Sequence, residues 1–279
     1  MQSTEQTIRM ADGVELLVRH YRPAAGPAVR TILVVHGLCE HGGRYEHVAR
    51  PAVERGWNVI VPDQRGHGRS GGVPMFVNRF SDFLDDLDVL RRELQLAPKS
   101  LALLAHSHGG LISVRYLQTR PDTAAAAVLC SPLLGLLVRV PTAKMWLGRF
   151  LAMIWPKTRF RTHVNPIDLS HDQEYLARRK ADPQIHRFVS VGWYVQAEQA
   201  ILQAHAAASA FNSPTLILQG TDDRVVDPLA TQRFAETVSS PDKSLVMLAD
   251  HLHELFFEPD SAVTVARILD WLERRVPRQ

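Results

Sequence analysis

Ser107 stands between His106 and His108 in the stretch LALLAHSHGGLIS, after an apolar run and ahead of two glycines. A strand, a sharp turn bearing serine and a following helix expose the hydroxyl above a sheet, with backbone N–H groups close by, as in a nucleophile elbow. The usual motif has glycine two residues before the serine. Ala105 occupies that place here, and alanine is the least intrusive substitute where strand and helix backbones run close. A serine hydroxyl is a poor nucleophile until a base accepts its proton and a carboxylate orients the base. Candidates follow in the required order of serine, acid and histidine. The acid is one of Asp222, Asp223 and Asp227, in TDDRVVD after the run LILQG; the base is His251 or His253, in HLHE after SLVMLAD. An oxyanion formed at Ser107 needs two donors. The backbone N–H of His108 supplies one, and that of Leu38, in the loop after TILVVHG, supplies the other. On this reading the His108 side chain has no chemical task and His106 packs behind the turn.

Each of these residues sits at the end of an apolar run, and the runs define the elements that must hold them. VELLVRHY, after the turn at Asp12 and Gly13, predicts one strand of an N-terminal hairpin. TILVVHG, WNVIVPD, SLALLAH, AAVLCSP and PTLILQG are continuous apolar runs of the kind found in parallel strands covered on both faces. Helical patterns lie between them. RYEHVARPAVERG stops at Gly56, and Phe80, Phe83, Leu84, Leu87, Leu90 and Leu94 recur at helical spacing behind a Ser81 cap. Such alternation predicts a doubly wound α/β sheet with its ligand at the carboxyl ends of the strands. The rhythm breaks from Leu134 to Ala208, where the strand signal vanishes. We therefore expect a core of residues 1–133 and 209–279 and a helical cap of residues 134–208 over the sheet edge.

Composition frames these expectations. The chain has 279 residues, 46% of them hydrophobic and 22% charged, an ordinary balance for a globular protein. No segment reaches the ~20 unbroken apolar residues of a membrane span, and MQSTEQTIRMADG has no signal-peptide pattern, so the expectation is a cytoplasmic protein. Cys39 and Cys130 are the only cysteines and predict buried thiols rather than a disulfide framework or zinc site. GHGRSG, residues 66–71, fits G-x-G-x-x-G but does not join a strand directly to a helix, as a dinucleotide site requires; it predicts a tight loop. The paired histidines lack the acidic partners and spacing of hydrolytic metal sites, so neither metal nor cofactor is expected, and nothing points to nucleic acid. The net charge of +3 is uneven: residues 134–208 carry ten Lys or Arg against five Asp or Glu.

Taken together, HGLCEHGGRY, VPDQRGHGRSGG, AHSHGG, LCSPLL, LQGTDDRVVD and HELFFEPD resemble the α/β-hydrolase family, and within it the monoacylglycerol lipases and bacterial lysophospholipase-like hydrolases. The resemblance implies a mostly parallel sheet with helices on both faces and an inserted helical cap. It implies hydrolysis of monoacylglycerol-like or lysophospholipid-like esters through an acyl-enzyme. Thioesters, acyl transfer and carbon–carbon bonds would use the same machinery, and a ligand-binding protein without turnover is the alternative outside enzymes. The family's acid precedes an arginine, which selects Asp223. Its histidine lies five residues before a glutamate followed by proline, which selects His253, with Glu258 and Pro259 in those places. The comparison also supports Leu38 as a donor and implies that Glu40 and Arg44 shape the polar end of the site. Phe256 departs from the animal monoacylglycerol lipases, which carry a second histidine there. In the cap, TAKMWLGRFLAMIWPKTRF is apolar over most of a helix with basic margins. Trp146 and Phe150 on it are expected to line an acyl tunnel and to touch lipid aggregates, giving peripheral, reversible attachment.

Overall fold

The structure, a computed structural model, describes residues 1–24, 30–137, 142–162 and 164–276, with the backbone alone for 142–147. The Asp12–Gly13 turn closes the first hairpin, Gly13 taking φ +86°, a conformation that costs glycine little. β1 (Gln2–Arg9) and β2 (Glu15–Arg22) pair antiparallel across it, Arg9 opposite Glu15. The apolar runs then form β3 (Thr31–Val35), β4 (Asn58–Pro62), β5 (Leu101–His106) and β6 (Ala126–Cys130). Two short strands follow, β7 (Arg159–Arg161) and β8 (Phe188–Ser190), before β9 (Thr215–Gly220) and β10 (Lys243–Leu248). Among the described residues eight strands make the main sheet in the order β1-β2-β4-β3-β5-β6-β9-β10. It is parallel from β4 to β10, and β2 joins it antiparallel through β4.

Alternate residues of these strands feed two apolar layers, which is why the runs are apolar throughout. Ile32, Val34, Ala102 and Leu104 pack with α1 (Glu46–Glu54) and α8 (Ser261–Glu273). Leu33, Val35, Leu103 and Ala105 face the other layer, with α2 (Ser81–Glu93), α3 (His108–Thr119) and α7 (Pro228–Thr237). The chain leaves α1 through Arg55 and Gly56, the latter at φ +84°. The expected Ser81 cap is absent: Phe80 is the N-cap residue, Ser81 opens the helix, and Asp82 folds back onto the N–H of Arg79 at 3.2 Å.

Residues between β6 and β9 add no strand to the main sheet. They form α4 (Thr142–Ile154), α5 (Gln173–Ala181) and α6 (Val191–Ala206), and, contrary to the expectation of helices alone, β7 and β8 pair as an antiparallel ribbon, Phe160 opposite Val189. Hydrogen bonds to backbone carbonyls tie this segment down. The Ser190 N–H and hydroxyl both donate to Met75 O, at 3.1 and 2.7 Å, and Gln118 Nε2 donates to Ala204 O at 2.8 Å.

Candidate active site

Ser107 lies between β5 and α3 with φ +51° and ψ −115°, a region that costs a non-glycine residue about 1–3 kcal/mol. The neighbourhood imposes it. Ser107 N–H donates to Cys130 O at 3.0 Å, and Ser107 O accepts from Leu111 N–H at 3.2 Å and Leu133 N–H at 2.9 Å. α3 then passes so close to β3 that a Cβ on Gly109 would lie 1.9 Å from Val35 O. Ala105 is fully buried in its strand, paired with Val35 and Leu129.

The loop after β9 carries Asp223, the candidate acid. Asp223 is buried, and its Oδ1 accepts from the N–H groups of Val225 and Val226 at 2.8 and 3.0 Å. Its Oδ2 accepts from Gln219 Nε2 at 3.0 Å and from His253 Nδ1 at 2.8 Å. A carboxylate only accepts, so the proton belongs on Nδ1 and the Nε2 lone pair points at the Ser107 hydroxyl, 3.0 Å away. Burial works against charging the His253 ring, but the Asp223 carboxylate outweighs it and the imidazole pKa stands above its usual value. Burial would raise the Asp223 pKa; the His253 ring and the hydrogen bonds hold it below the usual range instead.

Ser107 opens onto a cavity of about 400 Å³, within the ~300–1,000 Å³ typical of small-molecule sites. His106, His253 and Leu38 line it beside Ser107, and Leu133, Leu169, Leu176, Val189, Trp193 and Val225 make its lining mainly apolar.

Residues 26–260 match the family described as serine aminopeptidase, S33. The chain belongs to this family of α/β-hydrolases. Monoglyceride lipase of Homo sapiens is 31% identical over 276 residues, covering 95% of this chain and 89% of that protein. An uncharacterized abhydrolase domain-containing protein of Dictyostelium discoideum is 29% identical over 99% of this chain, which spans only 30% of that relative's length. The crystal structure of Paleococcus ferrophilus monoacylglycerol lipase matches at TM-score 0.83 and 27% identity, covering 98% of each chain.

In this hydrolase Asp222 and His251 stand apart from the serine. Asp222 is exposed and bonds Thr221 Oγ1 at 3.0 Å; His251 Nε2 bonds Asp260 at 3.0 Å. Asp227 caps α7, its Oδ1 accepting from Leu229 N–H at 3.0 Å. Leu38 reaches the cavity wall, beside Gly37, whose N–H is taken by Glu40 Oε1 at 2.5 Å. The His108 amide opens α3, where first-turn N–H groups have no intrahelical acceptor. The His108 ring points away: it sits against Phe83 and accepts from Trp193 Nε1 at 3.2 Å. His106, by contrast, is not confined behind the turn, because its ring reaches the cavity and lies 4.9 Å from that of His253. Burial, then the neighbouring His253, lowers its pKa to about 4, so His106 is neutral at pH 7.

Glu40 and Arg44 are buried rather than a surface pair, and only Glu40 faces the cavity. Arg44 braces it from behind, bonding Glu40, Glu254 at 2.9 Å and the Tyr175 hydroxyl. Glu254 is a cavity residue absent from the sequence reading; it also bonds Tyr175 and lies 3.4 Å from Arg179 Nε. Burial opposes its charge, yet the two guanidiniums hold the Glu254 carboxyl well below the usual range. Phe256 is buried edge-on to Tyr45 and His106 and adds no polar group. Phe150 is 55% exposed and does not line the cavity, since α4 turns it to solvent. The Trp146 side chain lies outside the described residues. The GHGRSG loop turns at Gly66 and Gly68, with φ +70° and +51°, and Asp63 ties it down by accepting from Arg69 N–H at 2.9 Å and Gly42 N–H at 2.7 Å. Cys39 and Cys130 are both buried free thiols.

Proposed function

We propose that this hydrolase cleaves monoacyl esters of glycerol-like or phosphoglycerol-like alcohols, with Ser107 as nucleophile, His253 as base and Asp223 as its orienting acid. The observation that carries the reading is the Ser107 hydroxyl at the floor of an apolar cavity, 3.0 Å from His253 Nε2. Ser107 Oγ attacks the ester carbonyl carbon as its proton passes to Nε2, and the N–H groups of Leu38 and His108 take the oxyanion. Collapse expels the alcohol, which carries away that proton. Water, deprotonated by the same nitrogen, then releases the fatty acid and restores Ser107. The apolar wall receives the acyl chain, and residues 134–208 act as a cap over it.

The family description names a peptidase, but the electrostatics favour an ester. A peptide α-ammonium needs an uncompensated carboxylate, whereas Glu40 and Glu254 are matched by Arg44 and Arg179. A binding protein without turnover has no use for the alignment of serine, histidine and aspartate. Contact with lipid aggregates belongs to the same reading. Phe150, Met153, Ile154 and Trp155 are exposed on and just after α4, by 55, 80, 49 and 65%, with Lys157 close behind. Apolar side chains flanked by cations suit an interfacial helix.

Ser107→Ala should lower kcat by about a million-fold, leaving only binding and oxyanion stabilisation. Turnover on esters varied independently in acyl length and alcohol, with fluorophosphonate labelling, measures this. Labelling that survives Ser107→Ala would overturn the assignment.

A further inference from the structure

Arg161, Lys180 and Arg187 converge on one corner of the cavity mouth from three places in the chain. Arg161 ends β7 opposite Phe188. Beside it Thr162 N–H donates to Arg187 O at 3.1 Å, and the Arg187 guanidinium donates to Lys180 O at 2.9 Å. His186 anchors this corner over the loop bearing Leu38, its N–H donating to Cys39 O at 2.9 Å. Burial first, and then the Arg159 guanidinium, lower the pKa of the His186 ring, so His186 is neutral at pH 7.

The acids that could balance the corner are engaged elsewhere. Residues 134–208 contain five. Asp168 pairs with Arg224 at 3.2 Å, Asp172 caps α5, Glu174 pairs with Arg178, Asp182 bonds His41 at 2.9 Å and Glu198 bonds Arg149 at 2.9 Å. Glu40 and Glu254, deeper in the cavity, are held by Arg44 and Arg179. Among the described residues no carboxylate pairs with Arg161, Lys180 or Arg187. Gathering three like charges at a cavity mouth costs self-repulsion, and an anion on the ligand relieves it through charge-assisted hydrogen bonds.

We propose that this corner is an anion subsite, and that the enzyme selects monoacyl esters whose alcohol carries a phosphate or carboxylate over neutral glycerol esters. The proposal rests on the ester-hydrolase reading above and assigns Arg161, Lys180 and Arg187 as its specificity residues. The anion belongs on the alcohol, because the wall formed by Leu133, Leu169, Leu176, Val189, Trp193 and Val225 is apolar and suits the acyl chain.

Butyryl esters of glycerol, glycerol 3-phosphate and glyceric acid test it as dissolved monomers, so lipid surfaces play no part. The ratio of kcat/KM for each acidic ester to that for the neutral one should be about ten or more in the wild type and should fall with added salt. It should drop about tenfold in Arg161→Gln with Arg187→Gln, the sum of two half-exposed ion pairs, and in the same direction in Lys180→Gln. Arg178→Gln, which removes a cation paired on the outer face of α5, should keep the ratio. Preference for only one acidic ester identifies phosphate or carboxylate as the group read. A wild-type ratio near one, or a ratio unmoved by the double variant, overturns the proposal. If the wild type hydrolyses none of the esters, the ester reading fails separately. Calorimetric binding of glycerol 3-phosphate then decides the corner: binding lost in the double variant upholds it, and equal or absent binding refutes it.

Discussion

His253 is held at both ring nitrogens, and that arrangement dictates how activity should respond to pH. Only the neutral imidazole can accept the Ser107 proton. Because Asp223 raises the imidazole pKa in spite of burial, kcat/KM should fall on acidification through a value above the ordinary imidazole pKa of about 6.5. Asp223→Asn removes the negative charge, so the acid limb should move to lower pH while the rate drops about ten-thousand-fold. A limb that moves upward contradicts the assignment. His253→Ala should cost about a million-fold in kcat, whereas His251→Ala, which severs bonds to the exposed Asp260 and to Ala249 O and none to Ser107 or Asp223, should cost a few-fold at most; the two variants compared on one ester decide between them. The residues alone left both histidines open, because the choice depends on the loop's path, including Asp250 at φ +57°. Ser107 was legible because its flanking elements carry strong patterns. Arg44 was reached only through the family resemblance, and Tyr175, Arg179 and Glu254, which gather around it, were not reached: each is a polar residue that hydropathy assigns to the surface, and their burial follows from meeting one another.

Long apolar elements declare themselves, and short or polar ones do not. β5 buries all six of its residues and reads directly as a strand, while β7 is three exposed residues, Arg-Phe-Arg, too short for any period. The Ser81 cap failed for a related reason, since Asp82 competes locally by accepting from both the backbone and the Nε of Arg79, the latter at 3.0 Å. At the elbow the constraint is geometric. Gly109→Ala would force a Cβ into Val35 O and should destabilise the fold by about 3 kcal/mol or more. Ala105→Gly, losing one methyl and adding backbone freedom, should cost only about 1 kcal/mol. Denaturant midpoints for the two variants measure this, and an equal or smaller cost at Gly109 would refute the close approach.

At the scale of the whole molecule, the basic surplus of residues 134–208 and the apolar side chains exposed around the end of α4 lie in one segment of the chain. Met153→Ala with Trp155→Ala should weaken co-sedimentation with anionic vesicles several-fold, and binding by the wild type should weaken as salt is added. Unchanged co-sedimentation would leave that face without a lipid role. Among the described residues no helix is long and apolar enough to cross a membrane. The same insertion has a second effect, on how the chain reaches its fold. β6 and β9 are adjacent in the sheet, although all of residues 131–214 lie between them. As the polypeptide leaves the ribosome, β1 to β6 can assemble first, with Ala126–Cys130 as a temporary apolar edge of the kind that recruits other chains. That edge stays open until the intervening residues are made and the long loop closes, a slow step set by contact order. Substitutions that delay collapse of the insertion would therefore reduce the yield of folded protein while leaving each folded molecule as active as before.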